Sequence, residues 1–490
     1  MAIKENFQEP IPFVPNQASG IDPLVGASPA AMNVIIDGGG AIQRRPGITT
    51  FRLGGGQVSS QPIQALHSTA GRGVYAIAGK TGGILEVYEL ITGNKVLLES
   101  LDVFTSQFRP VIAETEAMIV IATGNPVRKV VFPPTSVEPL GGNPPAGTHI
   151  ISQNSRLLVN DTPVGDKTKI HYSAPSQGTS QIGHEEWNLG VGSGIGTSGF
   201  FSAEGRIDPV VAIGENSNEV FAWGTSSLET FITDSNFIYT PVTTIEYGCA
   251  TPYGIIKSEA DFAWLDDKRR VVRSDGRSAE VISQPIQQTL QDLVRVDDCI
   301  GYRVTLGPVD MLVWTFPSDG RSLAYQQGGG WSTWMSYSNS LTNWIPLDIT
   351  AHGFIAGTNE NMVGTSEGNV GQLSMGEETD LGDPIVAEIT TGFIDHGTDL
   401  LKQCVSVRIG FRRGSDPVVN APKATLQYRD QEGPWRTAAT LDLGKSGDRA
   451  IVQEVRSLGV YRRRQWRFNF AGTTDLVLAR ATEEFQILDN

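Results

Sequence analysis

Residues Tyr253–Val281 read YGIIKSEADFAWLDDKRRVVRSDGRSAEV. Three short apolar runs, IIK, FAWL and VV, are separated there by polar breaks that contain Asp, Gly and Ser. This alternation predicts a small antiparallel meander in which the polar breaks form the turns. Because one meander cannot bury its own apolar face, the pattern also predicts that similar units pack beside it.

The same pattern recurs along the chain. Each related segment reads as strand, polar turn, apolar strand, turn and strand. Most segments begin ~45–50 residues after the previous one, which is typical of propeller blades of about four strands. The related segments are His67–Leu90, Val111–Phe132, His149–Pro175, Val210–Ile232, Tyr302–Gln327 and Ile349–Ser374. We therefore expect an all-β protein with a β-propeller-like body of repeated antiparallel meanders. Unrelated hairpins in a β-sandwich are the alternative.

Three regions of the chain differ in composition. Residues 1–50 are rich in proline and predict an extended N-terminal arm followed by a first hairpin. Residues 51–380 predict the propeller-like body, with one short helix near 283–294. Alternating strands joined by Gly/Asp turns in residues 386–490 predict a C-terminal β-sandwich domain beyond an acidic linker. The helix is expected to bury Ile286, Leu290, Leu293 and Val294.

Charge restricts the kinds of partner. The 490 residues carry a net charge of −15, which argues against a protein that binds duplex DNA through basic surface. An acidic wall would still suit a channel through which DNA slides. Residues 386–490 hold 15 Lys and Arg against 13 Asp and Glu, a net of +2, so the preceding residues carry −17.

The cysteines and the N-terminus exclude other classes. Cys249, Cys299 and Cys404 are odd in number and widely spaced, so we expect three buried thiols, no metal site and no cofactor. The first residues, MAIKENFQEP, lack the apolar region of a signal peptide, and no apolar run reaches the ~18 residues of a membrane span. We expect a protein made in the cytoplasm, not secreted, with no membrane insertion of its own.

Motifs of catalysis occur in the wrong context. Gly364–Gly368 reads GTSEG and matches the G-x-S-x-G nucleophile elbow, which requires a strand before it and a helix after it. NVGQLS follows and reads as a strand, so we expect a hairpin turn. Asp266-Asp267 and Asp297-Asp298 fail as acid–base pairs because adjacent residues of a strand point to opposite faces. We expect no catalytic residue and no enzyme.

The densest basic run is Tyr461–Arg467, YRRRQWR. In an extended strand, Arg463 and Arg467 share one face, and the opposite face carries Arg462 and Arg464. Such a stripe favours contact with the acidic surface of another subunit; contact with phosphate and a solvated edge strand are the alternatives. The candidate subunit-contact residues are Arg44, Arg45, Arg462, Arg463, Arg464 and Arg467.

Four segments, taken in order, carry a likeness to a known family. An extended arm leads to the element Asn33…Gly40…Arg45-Pro46-Gly47-Ile48, and Gly224–Phe231 reads GTSSLETF. A Tyr247-Gly248-Cys249 turn and the helix Ser283–Val294 follow. Together they resemble short-tailed phage tail-hub proteins, also called nozzle or packaged-DNA stabilisation proteins, whose corresponding segment reads G-S-S-T-I-E-Y-F.

The resemblance implies a structural protein of the virion. In that family a β-propeller body carries a β-sandwich, and six copies form a ring beneath the portal and adaptor. The ring continues the DNA channel, retains packaged double-stranded DNA without binding it specifically, and docks a needle, spikes or fibres. The resemblance implies no catalytic site.

Two other classes remain open. A propeller glycoside hydrolase or carbohydrate-binding protein that acts on bacterial surface glycans is the main alternative. The repeated Asp-box of sialidases is absent, and Ser318-Asp319-Gly320 approaches it once. A scaffold propeller of a cellular complex is the other, but its WD and GH signatures are missing.

Overall fold

Antiparallel β-strands make up nearly all of the regular structure. The computed structural model describes residues 6–13, 30–37, 40–54, 56–100, 102–161, 167–176, 178–188, 197–233, 239–338, 343–413, 423–443, 448, 450–471 and 476–488. These ranges contain one α-helix, Gln287–Gln291, and no helix long and apolar enough to cross a membrane. Their 3-10 turns are Gly183–Glu185, Pro252–Gly254, Gln284–Ile286 and Pro317–Asp319. The predicted all-β class is confirmed.

The stretch Tyr253–Val281 forms a four-stranded antiparallel meander. Its strands are Ile256–Ser258, Asp261–Leu265, Val271–Ser274 and Ala279–Val281. Phe262, Ala263, Trp264 and Leu265 are all buried, on both faces of the sheet. The sheet therefore has neighbours on both sides, which is why FAWL is a continuous apolar run.

One turn of this meander differs from expectation. The crowded charges of Asp266–Arg270 predict a solvated rim or a subunit contact, yet Asp266 is fully buried. Its carboxylate accepts the backbone N–H of Lys268 at 3.0 Å and of Arg270 at 2.7 Å, and the Arg270 Nε at 2.8 Å. Asp266 therefore organises the turn from within, and only Asp267 and Lys268 are exposed.

Seven four-stranded units of this kind follow one another, and we number them as blades. The strands of blades 1 to 3 are Ile63–Thr69, Gly73–Gly79, Leu85–Ile91, Asn94–Leu98; Val111–Glu114, Met118–Ala122, Arg128–Val131, Glu138–Pro139; and Ile150–Gln153, Arg156–Asn160, Lys169–Tyr172, Gly199–Ser202. Blade 4 comprises Val210–Asn216, Glu219–Gly224, Leu228–Thr233 and Tyr239–Ile245, and blade 5 is the meander described above. Blades 6 and 7 comprise Ile300–Leu306, Val309–Phe316, Arg321–Gln326, Gly330–Trp334; and Ala351–Ile355, Glu360–Gly364, Asn369–Ser374, Gly47–Thr50.

Apolar clusters fill the space between neighbouring blades. Each of seven clusters draws its main residues from two consecutive blades, for example Trp223 of blade 4 with Trp264 of blade 5. The seventh joins Met362 of blade 7 to Leu66 and Val74 of blade 1. The blades therefore close into a ring, and the propeller-like body is confirmed.

The ring is closed by a strand from the N-terminal side. Gly47–Thr50 pairs antiparallel with Asn369–Ser374, with Ile48 opposite Leu373, and so becomes the fourth strand of blade 7. Ile48 is buried among side chains of blades 6 and 7. The segment Ile349–Ser374 supplies only three strands of blade 7. Its fourth strand comes from residues about 320 positions earlier in the sequence.

The predicted helix is shorter than expected. Instead of Ser283–Val294, a 3-10 turn at Gln284–Ile286 leads into the α-helix Gln287–Gln291. Ile286, Leu290 and Leu293 are buried between blades 5 and 6, but Val294 is 85% exposed, so its predicted burial is wrong. Asp319 accepts the Val294 and Arg295 N–H groups at 2.9 and 3.1 Å, which holds the chain in a turn there.

Two sheets enclose the core of a β-sandwich formed by C-terminal strands together with strands from the N-terminal side. One contains Val34–Ile36, Ile42–Arg44, Leu476–Ile487, Lys402–Arg413 and Ala450–Arg456, with Phe7–Pro10 and Val460–Tyr461 at its margins. The other contains Ala30–Met32, Val386–Thr390, Arg464–Ala471, Lys423–Asp430 and Arg436–Asp442. Met32 also pairs parallel with Thr333 of blade 6, which joins this sheet to the propeller. Short strands elsewhere are Gly56–Gln57, Ser336–Ser338, Asn343–Ile345, Thr379–Asp380 and Asp383–Pro384.

The N-terminal residues belong to the sandwich. Phe7–Pro10 pairs antiparallel with the last strand, with Phe7 opposite Phe485. Ile11 and Phe13 are buried in the sandwich core. The predicted first hairpin is present as Val34–Ile36 paired with Ile42–Arg44. Most of the Pro-rich arm, residues 14–29, lies outside the described residues.

Candidate functional site

Arg45 lies in the interior, where the closing strand of the ring meets the sandwich. Its Nε donates to Asn33 Oδ1 at 2.9 Å, and its Nη1 donates to Asp380 Oδ1 at 2.9 Å. Asn33 Nδ2 in turn donates to the carbonyl oxygens of Met335 and Val386 at 2.7 and 2.8 Å. The Arg45 side chain is 0% exposed, so its guanidinium fastens parts of this chain to one another.

Arg44 and Arg464 are also buried. Arg44 stacks on Phe470 at 4.9 Å. The Arg464 Nε donates to Asp430 Oδ1 at 2.6 Å, and its Nη2 donates to the Leu458 carbonyl at 2.8 Å. Contact with another subunit stays a prediction for all six arginines, and burial argues against it for Arg44, Arg45 and Arg464.

Three of the six arginines reach the surface. Residues 462 and 463 form a turn before the strand Arg464–Ala471, so the basic run is not one continuous extended stripe. Arg462 is exposed and donates to the Asp399 carbonyl at 2.6 Å. Arg463 and Arg467 are half-buried and lie on the outer side of the sandwich.

Arg463 and Arg467 meet a third arginine that the sequence did not single out. The Arg429 guanidinium lies 5.3 Å from the Phe393 ring and 4.9 Å from the Trp435 ring. Arg463 lies 5.2 Å from the same Phe393, and Arg467 lies 4.2 Å from the same Trp435. We call these five residues the arginine face.

The strands beneath the arginine face hold its guanidinium groups in place. Arg429 and Gln465 are opposite each other in neighbouring strands, as are Gln427 and Arg467. The Arg429 Nε donates to Gln465 Oε1 at 2.5 Å, and the Arg467 Nε donates to Gln427 Oε1 at 2.7 Å. Because the aromatic rings and amide oxygens are neutral, they orient the cations without cancelling their charge.

The electrostatics of the arginine face favour an anionic partner. Burial lowers the pKa of Arg429, and the nearby Arg467 charge lowers it further. The closest carboxylates are only at the limit of ion pairing, Glu432 at 3.8 Å from Arg463 and Glu388 at 4.0 Å from Arg467. The neighbouring guanidinium groups repel one another while no partner is bound. A bound carboxylate or phosphate would neutralise part of this charge and remove the repulsion.

The sequence contains only weak signals for Arg429, Trp435 and Phe393. Arg429 lies in a strand about 35 residues before its partner, and Trp435 follows Pro434 in a turn. Trp435, which is half-buried and precedes Arg436, is a usable hint because Trp is enriched at interfaces, whereas Phe393 is buried and gives no such hint.

The GTSEG segment is a hairpin turn, as predicted. It connects the strands Glu360–Gly364 and Asn369–Ser374. Ser366 donates to Asp348 from its Oγ at 2.9 Å and from its backbone N at 3.0 Å. Ser226 in the GTSS turn of blade 4 makes the same two bonds with Asp208. In blades 4 and 7 the same contact therefore ties a turn of the blade to an aspartate two or three residues before its first strand.

Blades 4 to 7 match a known protein family. The family model described as "Bacteriophage P22 Gp10, beta-propeller" covers residues 195–377. This part of the chain is similar to the phage-stabilisation family. The match includes the GTSSLETF segment, the Tyr247–Cys249 turn and the helix region, so the resemblance read from the sequence is confirmed.

Other comparisons add little to the phage-stabilisation match. No curated protein matches the chain. A solved structure described as "YCF48 bound to D1 peptide" is 10% identical, covers 68% of this chain and 99% of its own, and has a TM-score of 0.38. The phage-stabilisation match therefore carries the functional argument.

Proposed function

We propose that this protein is a ring-forming hub or nozzle in the tail of a short-tailed phage. Copies of it would continue the DNA channel below the portal and adaptor, retain the packaged genome, and dock a needle, spikes or fibres. The observation that carries this proposal is the phage-stabilisation match over blades 4 to 7. That match supports a structural role in the virion.

The closed propeller supports such a role. Seven apolar clusters hold each blade to its neighbours around the ring. The closing strand Gly47–Thr50 gives blade 7 its fourth strand. The −17 charge of the residues before 386 supplies acidic surface from which the phosphates of passing DNA would be repelled.

The arginine face supplies the complementary charge. It lies on the only region with a positive balance, +2 for residues 386–490, in a chain that is otherwise acidic. Side-by-side copies could bring the Arg463 and Arg467 side of one sandwich against an acidic surface of the next copy or of the adaptor. Arginine suits such contacts because its planar guanidinium binds carboxylates through two hydrogen bonds.

Assembly on the adaptor tests the proposal. The purified protein is mixed with its portal–adaptor complex and imaged by negative-stain electron microscopy, and we expect six-fold rings. The R463E/R467E double variant should lower ring formation by at least about tenfold. R456E is the matched control, because Arg456 is a 71% exposed arginine of the opposite sandwich sheet.

Each failure has a distinct meaning. Wild-type protein that stays monomeric with the adaptor would contradict the hub role. Rings that form equally well from the double variant would leave the hub role intact and exclude the arginine face as the contact. Thermal unfolding of each variant checks that the charge reversals leave the fold in place.

A further inference from the structure

A cavity lies at one end of the propeller ring, where the chain enters the blades. Its volume is about 680 Å³, within the ~300–1,000 Å³ of small-molecule sites. Residues just before the first strands of blades 2 to 6 line it, which places it at the mouth of the ring of first strands. These residues are Arg109, Thr148, Pro209, Tyr253 and Asp298.

A second cavity of about 330 Å³ continues from the first between the first strands themselves. Arg109, Pro252 and Tyr253 line both cavities. These three residues therefore form the neck between the mouth and the inner channel. A ligand in the mouth therefore has Arg109 at the inner end of its cavity.

Arg109 has unused capacity for an anion. It donates to the Thr350 carbonyl, and no carboxylate of the described residues pairs with it. Burial lowers its pKa to about 10, against the opposing effect of Tyr253, so the side chain stays charged at neutral pH. A half-buried guanidinium without a counter-ion is costly, and a bound carboxylate would remove that cost.

The other charged groups at the mouth mostly have partners. Arg295 pairs with Asp297 through two contacts of 2.6 and 2.9 Å. Asp161 lies 3.6 Å from the His171 Nε2, and Asp298 accepts the Ser318 N–H at 2.8 Å. The exposed Lys167 has no ion pair within the described residues and is the second cation available to a ligand.

The remaining wall is largely apolar. Phe108, Val210, Val211 and Pro252 contribute hydrocarbon surface. Tyr253 stacks on His149 with ring centroids 5.1 Å apart. Burial lowers the pKa of His149 to about 4, so this ring is neutral at physiological pH and adds stiffness to the wall.

We propose that this cavity binds a carboxylate-bearing ligand, with the carboxylate on Arg109 and the body of the ligand against the apolar wall. A monoanion is favoured over a phosphate dianion because Asp161, Asp297 and Asp298 share the mouth and would repel a second charge. An acidic sugar and an Asp or Glu side chain of a protein segment share this chemistry. The inference is independent of the tail role, since it concerns the single protomer.

Binding of small probes tests the proposal. Glucuronate and N-acetyl-glutamate amide are titrated into the full chain by saturation-transfer NMR, beside glucose and N-acetyl-glutamine amide as their neutral counterparts. We expect at least one acid to bind and its neutral counterpart to bind at least about tenfold more weakly. Preference for glucuronate identifies a sugar site, and preference for the glutamate derivative identifies a peptide site.

Variants locate the site. R109Q should weaken binding at least about tenfold, whereas R109K, which keeps the charge, should retain part of it. R72Q is the control, because Arg72 is exposed in the hairpin between the first two strands of blade 1, away from the cavity lining. The proposal is overturned if neither acid binds the wild type, or if correctly folded R109Q and R109K both bind like the wild type.

Discussion

The propeller and the sandwich are both antiparallel, yet they connect their strands in opposite ways. In blades 1 to 6 every strand pairs with the next strand in sequence. In the sandwich, Lys402–Arg413 lies between Leu476–Ile487 and Ala450–Arg456, and Val34–Ile36 belongs to the same sheet. The propeller is therefore built from local contacts, and the sandwich joins the two ends of the chain.

The two regions also bury charge in different ways. In the propeller, the buried carboxylate of Asp266 is satisfied within its own turn, and the clusters between blades are formed by apolar side chains. The sandwich instead buries Glu483, whose Oε1 accepts the Tyr461 hydroxyl at 2.6 Å and whose Oε2 accepts the Trp466 Nε1 at 3.2 Å. His396 lies 3.6 Å from the same carboxylate. The comparison predicts that one region responds to loss of volume and the other to loss of charge.

The largest effect is expected from Arg464→Ala. This change leaves Asp430 without its ion pair and removes a cation from the neighbourhood of Glu483, at a cost of about 3–5 kcal/mol. Differential scanning calorimetry should show a lower sandwich transition and an unchanged propeller transition. Arg456→Ala is the control and should change stability by less than about 0.5 kcal/mol. Equal losses in both transitions would contradict the separation of the two regions.

A slightly smaller effect is expected from Ile48→Ala. Ile48 is 3% exposed and packs between blades 6 and 7, so the cavity left behind costs about 2–4 kcal/mol. Here the propeller transition should fall. Thr50→Ala, an exposed position of the same strand, is the matched control. An unchanged propeller transition in Ile48→Ala would mean that the closing strand does not stabilise the ring.

The two regions should depend on pH in opposite directions. In the sandwich, burial acts to lower the pKa of His396, but hydrogen bonds with Glu483 and Glu9 outweigh it, and the pKa is raised. The charged form is thus favoured in the fold. Its stabilisation is complete below the ordinary pKa of about 6.5 and is lost as the pH rises through the raised value.

In the propeller, burial lowers the pKa of His149 and His352 to about 4. Their neutral form is favoured in the fold, so the stabilisation is present above about pH 6.5 and is lost as the pH falls toward the lowered value. Calorimetry between about pH 5 and pH 9 should resolve the two slopes. His396→Gln should flatten the sandwich slope alone, and a sandwich slope that survives this change would rule out His396 as its source.

The smallest effect is expected from Asp348→Ala. Loss of its two hydrogen bonds to Ser366 should lower the propeller transition by about 1 kcal/mol. Asp208→Ala should act in the same direction in blade 4, where the carboxylate accepts hydrogen bonds from both Ser226 and Ser227. Asp267→Ala removes an exposed turn carboxylate and serves as the control. If the propeller transition occurs at the same temperature in all three variants, the repeated Asp–Ser contact does not contribute to the stability of the propeller.

The difference in connection explains how much of the fold the sequence reveals. Blade 5 is legible because its turns and strands lie together in Tyr253–Val281. The fourth strand of blade 7 cannot be predicted in this way. Gly47–Thr50 pairs with residues about 320 positions away, and its apolar content does not distinguish it from other short segments. The burial of Asp266 is equally hidden, since the carboxylate is satisfied by its own turn, and a charged turn resembles a solvated one in sequence.

The candidate site was only partly predictable for the same reason. Arg463 and Arg467 stand out within a basic run, but Arg429 becomes their neighbour only through strand pairing. Composition also cannot separate Arg464, which is fully buried, from Arg463 beside it. Arg463 lies in the turn before the strand and Arg464 is the first residue of the strand, so the position at which the strand begins decides which arginine is buried.

The position of the closing strand early in the sequence determines when the ring can close during synthesis. Gly47–Thr50 leaves the ribosome about 320 residues before its partner Asn369–Ser374. At roughly 5–20 residues per second this strand waits about 15–65 s with its edge unpaired. Through that interval blades 1 to 6 can fold one after another, while the ring stays open and blade 1 has no neighbour on one side. For most of its synthesis, the nascent chain therefore exposes the unpaired strand Gly47–Thr50 and the uncovered face of blade 1. Both can pair or pack with other chains, so aggregation is most favoured during this period.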